Sequence, residues 1–406
     1  MTRGTVKSSF DFPTVWINEG KIRVLVPKLE AFVEKPGDYA PSKAPVFYNP
    51  VMEMNRDFAV IALQVYQKEA GRDLHVCEPL AGCSVRGIRF AVEVEGVERV
   101  ILNDINPKAF KLIKFNVKEN RLEDKVVVRN VDANFLLSSY AAPKKRFDYI
   151  DIDPFGSPAP YIDSSVRALK SGGLLALTST DLAPLCGVHP KACIRKYGAR
   201  PLRTEYCHEL AVRILLGSLA KTAAKHDVGI KPVFSYYANH YVRIYTRMFH
   251  GARKADKSLK EVGYVYHCFK CFHRETAKGL FNLEKKKCPK CGEKMSVAGP
   301  LWIGKLVDKE YCEKLVEELS KRRELKNEKR MRKILNLIIE EVDGPPTYFD
   351  VGEISDKFGC LTPSPRKVVA KLHKEGFFAS LTHFKSTGIR TDAPSERVIE
   401  IVKELG

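Results

Sequence analysis

The 406-residue chain is 44% hydrophobic, enough for a substantial core, and at about 100–200 residues per domain it is expected to form two or three domains. Its 68 Lys and Arg against 49 Asp and Glu leave a net charge of +19, which favours a polyanionic partner and says nothing of fold. No apolar run approaches the roughly eighteen residues of a membrane span and the start lacks the apolar core of a signal peptide, so no membrane partner and a cytoplasmic location are expected.

In chain order, Val15 to Val26 reads as a hairpin around Glu19-Gly20, an N-terminal addition to the main domain. Asp73 to Gly87 then reads as a short apolar strand ending in the acidic Glu78, a small-residue turn, and the start of a helix running to Val94. Such a turn lets a cofactor approach backbone amides at a helix N-terminus. The next apolar run, Val97 to Leu102, ends at Asn103-Asp104, where a carboxylate can accept both hydroxyls of a ribose. The third, Val126 to Val128, leads to Val131-Asp132-Ala133-Asn134, placed for an adenine edge. Strand and helix alternate at the spacing of a right-handed parallel βαβ sheet, with every acid after the carboxyl end of a strand, the edge where open α/β sheets bind ligands.

The strand Phe147 to Ile152 runs directly into Asp153-Pro154-Phe155-Gly156-Ser157-Pro158. A carboxylate, a proline carbonyl and an exposed ring suit chemistry on a planar amine. A base's exocyclic NH2 is a poor nucleophile because its lone pair is delocalised. Asp153 and the Pro154 carbonyl can accept its two hydrogens and aim the lone pair, while Phe155 stacks on the base. The competing reading is an ordinary Pro-containing turn at a strand end.

Glu205 to Lys225 is expected to be helical, with Leu210, Ile214 and Leu215 on one face. Phe234 to Phe249, rich in aromatic and β-branched residues with Arg243 and Arg247 interleaved, reads as core strands. Apolar periodicity fades from Phe249 to Lys257, so a boundary is placed between Arg247 and Lys260. This divides the chain into an α/β domain at 1–252 and an α+β domain at 253–406.

Of eleven cysteines, Cys77, Cys83, Cys186, Cys193, Cys207, Cys312 and Cys360 have no metal-ligand partners in the sequence. Cys268-x2-Cys271 and Cys288-x2-Cys291, with sixteen residues between them, are spaced to close a tetrahedral zinc site. Two disulfides, or knuckles without metal, are the competing readings. His267 and His273 flank the first pair but have no necessary role beside four thiolates, and four protein ligands leave no open position for catalysis.

Tyr311 to Val342 reads as one long helix or a broken pair. Its stretch Lys321 to Lys333 carries eight cations against two anions, either a solvated face or an RNA contact. Asp350 to Gly359 and Ser364 to Glu375 are two helical patterns followed by a strand at Phe377 to Phe384. The pattern is similar to a winged helix with Arg366, Lys367, Lys371 and Lys374 on or near the second helix, or else a packing module that never meets nucleic acid.

The strand-end acids and the D-P-F-G-S-P loop together resemble the class I S-adenosylmethionine-dependent methyltransferases. The form of the loop is similar to that of the archaeal-like tRNA (guanine-N2)-dimethyltransferases, which modify the guanine at position 26. Phe47 to Asp57, Thr180 to Gly187, Thr382-His383-Phe384 and Gly388 to Asp392 are also similar to stretches of that family, so the resemblance covers essentially the whole chain. It implies a Rossmann-like methyltransferase sheet and a C-terminal domain that carries the cysteine knuckles and grips tRNA. It also implies S-adenosylmethionine contacts from Arg56, Arg86, Asp104, Asp132 and Ala133, with Glu78 at the end of the first strand, and catalysis by Asp153, Pro154 and Phe155. The turn departs from the usual alternating glycines and keeps only Gly82, so Arg56 and Arg86 are expected to offer their planar forks to the methionine carboxylate. The chain is expected to act as a monomer. Related D-P-P motifs serve rRNA guanine and adenine amines, and a zinc-ribbon and winged-helix regulator with an inert methyltransferase-like domain is the alternative of a different class.

Overall fold

The computed structural model describes residues 10–33, 35, 40–281, 283–284 and 286–406. The chain forms two compact units: Met1–Ile152 with Glu317–Met331, and Asp153–Val316 with Arg332–Gly406.

The first unit opens with the expected hairpin, β1 (Thr14–Glu19) and β2 (Ile22–Pro27), in which Glu19 pairs with Ile22 across the turn. Then come α1 (Glu53–Ala70), β3 (Leu74–Glu78), α2 (Val85–Glu93), β4 (Val97–Asn103), α3 (Pro107–Glu119), β5 (Val126–Arg129), α4 (Ala133–Ser139) and β6 (Phe147–Ile152). Strands β5-β4-β3-β6 pair in that order, and every pairing is parallel. The chain leaves β3 toward β4 and β5 on one side and returns to place β6 on the other, the kind of reversal beside which open α/β sheets bind ligands. Strand β6 is buried along its whole length, and the two acids inside it are compensated. Asp148 accepts the His75 amide at 2.9 Å and pairs with Arg72, while Asp151 meets Arg86 at 3.0 Å and the Tyr149 hydroxyl at 2.6 Å. The hairpin is fastened through Asn116 of α3, whose side chain exchanges hydrogen bonds of 2.8 and 2.9 Å with the Leu25 backbone.

The second unit continues with α5 (Ile162–Ala168), β7 (Leu169–Ser179), α6 (Leu182–Leu185), α7 (Pro190–Tyr197), α8 (Cys207–Ala224), β8 (Val228–Ala238), β9 (Tyr241–His250) and α9 (Ala252–Lys260). Strands β7, β9 and β8 are antiparallel neighbours in that order. The expected helix α8 is buried through its centre, and Gly217 lets it touch the next sheet: a Cβ there would lie 2.8 Å from the Leu301 Cα. The segment read as losing periodicity is largely helix α9. It is nine residues long and buries only Ala255 and Ser258, too narrow a stripe to register as a period.

A second small sheet orders β10 (Val262–His267) between β11 (Arg274–Lys278) and β12 (Ser296–Trp302). The helical stretch is a broken pair, α10 (Lys309–Ser320) and α11 (Glu328–Glu341). The break lets Arg322 turn inward, where its Nε meets Glu318 at 3.0 Å and its guanidinium reaches the Glu93 carbonyl at 3.0 Å. Arg322 is therefore a buried structural cation, and the cation run is not a uniform solvated face. The chain closes with β13 (Phe349–Asp350), α12 (Val351–Phe358), α13 (Pro365–Lys374), β14 (Ala379–Leu381), β15 (Gly388–Thr391) and α14 (Ser395–Leu405). Val351, Ile354, Val368, Leu372 and Ile389 build one core beneath the sheet β13-β15-β14. Among the described residues no helix is long and apolar enough to cross a membrane.

Candidate active site

Asn103, the last residue of β4, draws the three strand-end turns of the first unit together. Its amide nitrogen donates to the Pro79 and Val131 carbonyls, each at 2.9 Å, and its oxygen accepts the Val131 N–H at 3.1 Å. Beside it, Asp104 accepts the Gly82 N–H at 2.8 Å on one oxygen and the Asn106 N–H at 2.9 Å on the other. Each oxygen keeps a second lone pair, the acceptor pattern that a vicinal diol requires. Burial raises the Asp104 carboxyl above the ordinary range, outweighing the two N–H groups that lower it. Gly82 has φ +52°, and a Cβ on it would come within 2.9 Å of the Phe47 carbonyl, so the turn beneath Asp104 depends on glycine.

Asp132 caps α4, accepting the Phe135 N–H at 2.9 Å, with Ala133 buried behind it. Two apolar side chains follow these acids into solvent, Ile105 at 63% and Phe135 at 67% exposure. They were not singled out from the sequence. The only signal was an apolar residue just past each strand-end acid.

Glu78, Arg56 and Arg86 face inward. Glu78 is buried, accepts the Gly87 N–H at 2.9 Å and lies 3.6 Å from Arg86. A Cβ on Gly87 would fall 2.1 Å from Leu102, which is why α2 can lie so close to the sheet. Arg56 meets Glu19 of the hairpin in two bonds of 2.6 Å, and Arg86 donates to Asn55 at 2.7 Å and Asp151 at 3.0 Å. Both forks are thus set by internal carboxylates. Arg89 completes the cluster, with Asp57 at 2.7 Å and Glu93 at 2.8 Å.

In the second unit, Asp153 and Pro154 are half-buried and Phe155 is 69% exposed. Their loop is fastened from behind. Thr180 donates its N–H to the Gly156 carbonyl and accepts the Gly156 N–H on its hydroxyl, both at 3.0 Å. Ser157 donates to Tyr197 at 2.7 Å, and burial pushes the Tyr197 phenol up to about 12, so it remains a neutral hydrogen-bonding post. A left-handed Gly156, φ +73°, turns the chain immediately after the phenylalanine. The ring is presented to solvent on a rigid base. The Thr180 stretch noted in the sequence therefore serves as the backing of this loop.

The four cysteines of the two knuckles converge. Cys268 and Cys291 sulfurs are 3.4 Å apart, Cys271 and Cys288 sulfurs 3.5 Å, and all four lie within 4.8 Å of one another. Each knuckle closes with a residue in the left-handed region just after its second cysteine, Phe272 at φ +57° and Gly292 at φ +73°. Four convergent thiols are a donor set suited to a tetrahedral thiophilic cation. His267 takes no part in it. It is buried among aromatic rings, and burial holds its imidazole neutral, at about 2. His273 bonds to Glu275 at 3.0 Å.

The sequence model of the N2,N2-dimethylguanosine tRNA methyltransferases matches residues 20–403. A tRNA (guanine(26)-N(2))-dimethyltransferase of Methanothermobacter thermautotrophicus is 41% identical over 391 residues, covering 96% of this chain and 99% of that protein. A tRNA (guanine(26)-N(2)/guanine(27)-N(2))-dimethyltransferase of Aquifex aeolicus is 39% identical, with 96% of each chain covered. The structure of Trm1 from Pyrococcus horikoshii in complex with S-adenosyl-L-methionine superposes with a TM-score of 0.84 at 36% identity, over 96% of this chain and all of that one. On its sequence and its fold alike, this chain belongs to the family of N2,N2-dimethylguanosine tRNA methyltransferases.

Proposed function

We propose that this protein uses S-adenosylmethionine to methylate the exocyclic N2 of guanine 26 in tRNA, giving the monomethyl and then the dimethyl product. The observation that carries this is the exposed Phe155 beside Asp153 and Pro154, on a fastened loop that continues directly from Ile152 of β6. When bound, the cofactor supplies an electrophilic methyl group. Asp104 accepts the ribose hydroxyls, Asp132 and Ala133 meet the adenine edge, and Ile105 and Phe135 cover its faces. Arg56 and Arg86, held by Glu19 and Asp151, lend positive potential to the methionine end, and Glu78 braces the turn. Phe155 stacks on a guanine extruded from the tRNA core, since N2 is poorly accessible while the base is stacked and paired. Asp153 and the Pro154 carbonyl accept the two N2 hydrogens, aiming the lone pair at the methyl carbon. Asp153 would take one N2 proton as the nitrogen gains the methyl carbon and the methyl–sulfur bond breaks, the sulfur leaving as a neutral thioether.

In this reading residues 1–252 are the methyltransferase domain, 253–406 form the zinc-bearing, winged-helix-like tRNA-binding domain, and the protein works as a cytoplasmic monomer. Arg366, Lys367 and Lys374 are exposed around α13 and suit RNA phosphates, whereas the buried Arg322 does not. The deciding experiment incubates unmodified tRNA with isotopically labelled cofactor and reads the nucleosides by mass, at positions 26 and 27. Label in N2,N2-dimethylguanosine at 26 supports the reading. Label in N6-methyladenosine, or none, overturns it.

Two further results are expected. Asp104→Ala weakens cofactor binding by about 1–3 kcal/mol in calorimetry, because buried hydroxyls lose their acceptor. Asp104→Asn, which keeps one oxygen, falls between, and unchanged affinity in both variants removes the ribose assignment. Zinc is held by Cys268, Cys271, Cys288 and Cys291, so replacing Cys268 and Cys271 together by Ser lowers bound zinc by one equivalent and lowers the melting temperature. Unaltered metal content would show that the knuckles close without an ion.

A further inference from the structure

Cys186, Cys207 and His208, which had no metal-ligand partners in the sequence, come together in the second unit with their ligand atoms all within 4.8 Å of one another. Cys186 follows α6, and Cys207 and His208 open the first turn of the eighteen-residue helix α8. The approach is built into the backbone. Gly187, at φ +89°, lies so close to the segment before α8 that a Cβ on it would come within 2.8 Å of the Arg203 nitrogen. That packing lays the loop carrying Cys186 over the start of the helix. The Cys186 sulfur points to the Cys207 carbonyl at 3.6 Å. The His208 ring is clamped face to face on Tyr237, with centroids 3.9 Å apart and planes 9° from parallel, so its nitrogens are fixed in direction.

We propose that Cys186, Cys207 and His208 form a second metal site, separate from the four-cysteine knuckles, that takes one thiophilic divalent cation of the zinc class. Two thiolates and one imidazole are soft and borderline donors that select such an ion over magnesium or calcium. Three protein ligands leave a fourth position for water. The site lies in the stretch that begins at Thr180, which grips Gly156, so an ion here ties the backing of the Phe155 loop to α8.

The test is zinc content of the full-length protein, loaded with zinc and freed of excess by gel filtration. Cys186→Ser and Cys207→Ser are each expected to carry one equivalent less than the wild type. The variant lacking Cys268 and Cys271 should keep the ion that depends on Cys186. Cobalt substitution of that variant should show thiolate-to-metal absorption that disappears when Cys186 is also replaced. Should a serine variant fail to fold, His208→Gln gives the same reading, because it retains a polar side chain of similar size and loses the ligand. Equal metal content in the wild type, Cys186→Ser and His208→Gln overturns the proposal. So does a Cys186–Cys207 disulfide found by mass in freshly purified wild-type protein.

Discussion

Asp153→Ala should remove most methyl transfer while leaving tRNA and cofactor binding close to normal. The reason lies in the role proposed for Asp153. In that role its carboxylate would engage the amine hydrogens as the nitrogen changes from delocalised to nucleophilic, so its interaction would strengthen toward the transition state and contribute little to the ground state. Groups acting in that way contribute roughly 10²–10⁴-fold in rate, and the loss should appear in single-turnover kcat with KM for tRNA little altered. Asp153→Asn separates the two duties. It keeps a carbonyl acceptor for one hydrogen and cannot take the proton, so it should bind as tightly and turn over nearly as slowly. Single-turnover rates near the wild-type value in both variants would reduce Asp153 to a strand-end cap and move proton removal to solvent.

The largest effect on stability is expected at Arg390, in the Gly388 to Asp392 stretch that marked the family resemblance. Arg390 is buried and fully used. It meets Glu209 at 2.8 Å, Glu341 at 2.9 Å, the Pro345 carbonyl at 2.7 Å and the Thr347 carbonyl at 3.0 Å. Truncation leaves two carboxylates buried against one remaining guanidinium, Arg213, a loss of about 3–5 kcal/mol for a broken buried pair. Arg390→Lys should recover only part of it, since an ammonium cannot span both acids. The pH dependence has a definite sign. Arg390, then Arg213, hold the Glu209 carboxyl at about 2, below its ordinary value near 4.5, although burial pushes it up. A depressed carboxylate stabilises the fold above its unfolded value, and that contribution drains away as pH falls from about 4.5 toward 2. Denaturant midpoints should therefore drop through this window in the wild type and drop less in Arg390→Ala. Parallel pH curves would mean that Glu209 is stabilised by its backbone and Arg213 contacts alone.

The strand ends that carry Asp104, Asp132 and Asp153 could be read from the sequence because their pattern is local. A strand, its terminal acid and the turn that follows lie within a few positions, and period and residue type suffice. The cysteine knuckles were legible for the same reason. What stayed hidden depends on distant partners. Arg56 and Arg86 were expected to point their forks toward a ligand carboxylate, yet Arg56 is met by Glu19, 37 positions away, and Arg86 by Asp151, 65 away. Arg322 read as one more cation of a solvated face or an RNA contact, yet it is turned inward onto Glu93, 229 positions earlier. A charged side chain in a sequence does not reveal which carboxylate it will find. The Cys186, Cys207 and His208 cluster was missed on the same grounds, since only the folded chain brings the loop after α6 to the first turn of α8.

The return of residues 317–331 to the first unit bears on how this protein is made. A ribosome delivers the parallel strands early, but the Arg322 that satisfies Glu93 and the Asn327 that bonds Asp57 at 3.2 Å emerge only after the whole second-unit segment Asp153–Val316 has been synthesised. Until then Glu93 and Asp57 lack these two partners, so the first unit cannot complete its contacts while its N-terminal part is being made. Closing so long a loop adds little to the equilibrium cost, which grows only with the logarithm of its length, but it delays the final step. A fragment ended at residue 252 would be released in that unfinished state, with Glu93 missing its second arginine, and would depend on a separately supplied 317–331 peptide to close.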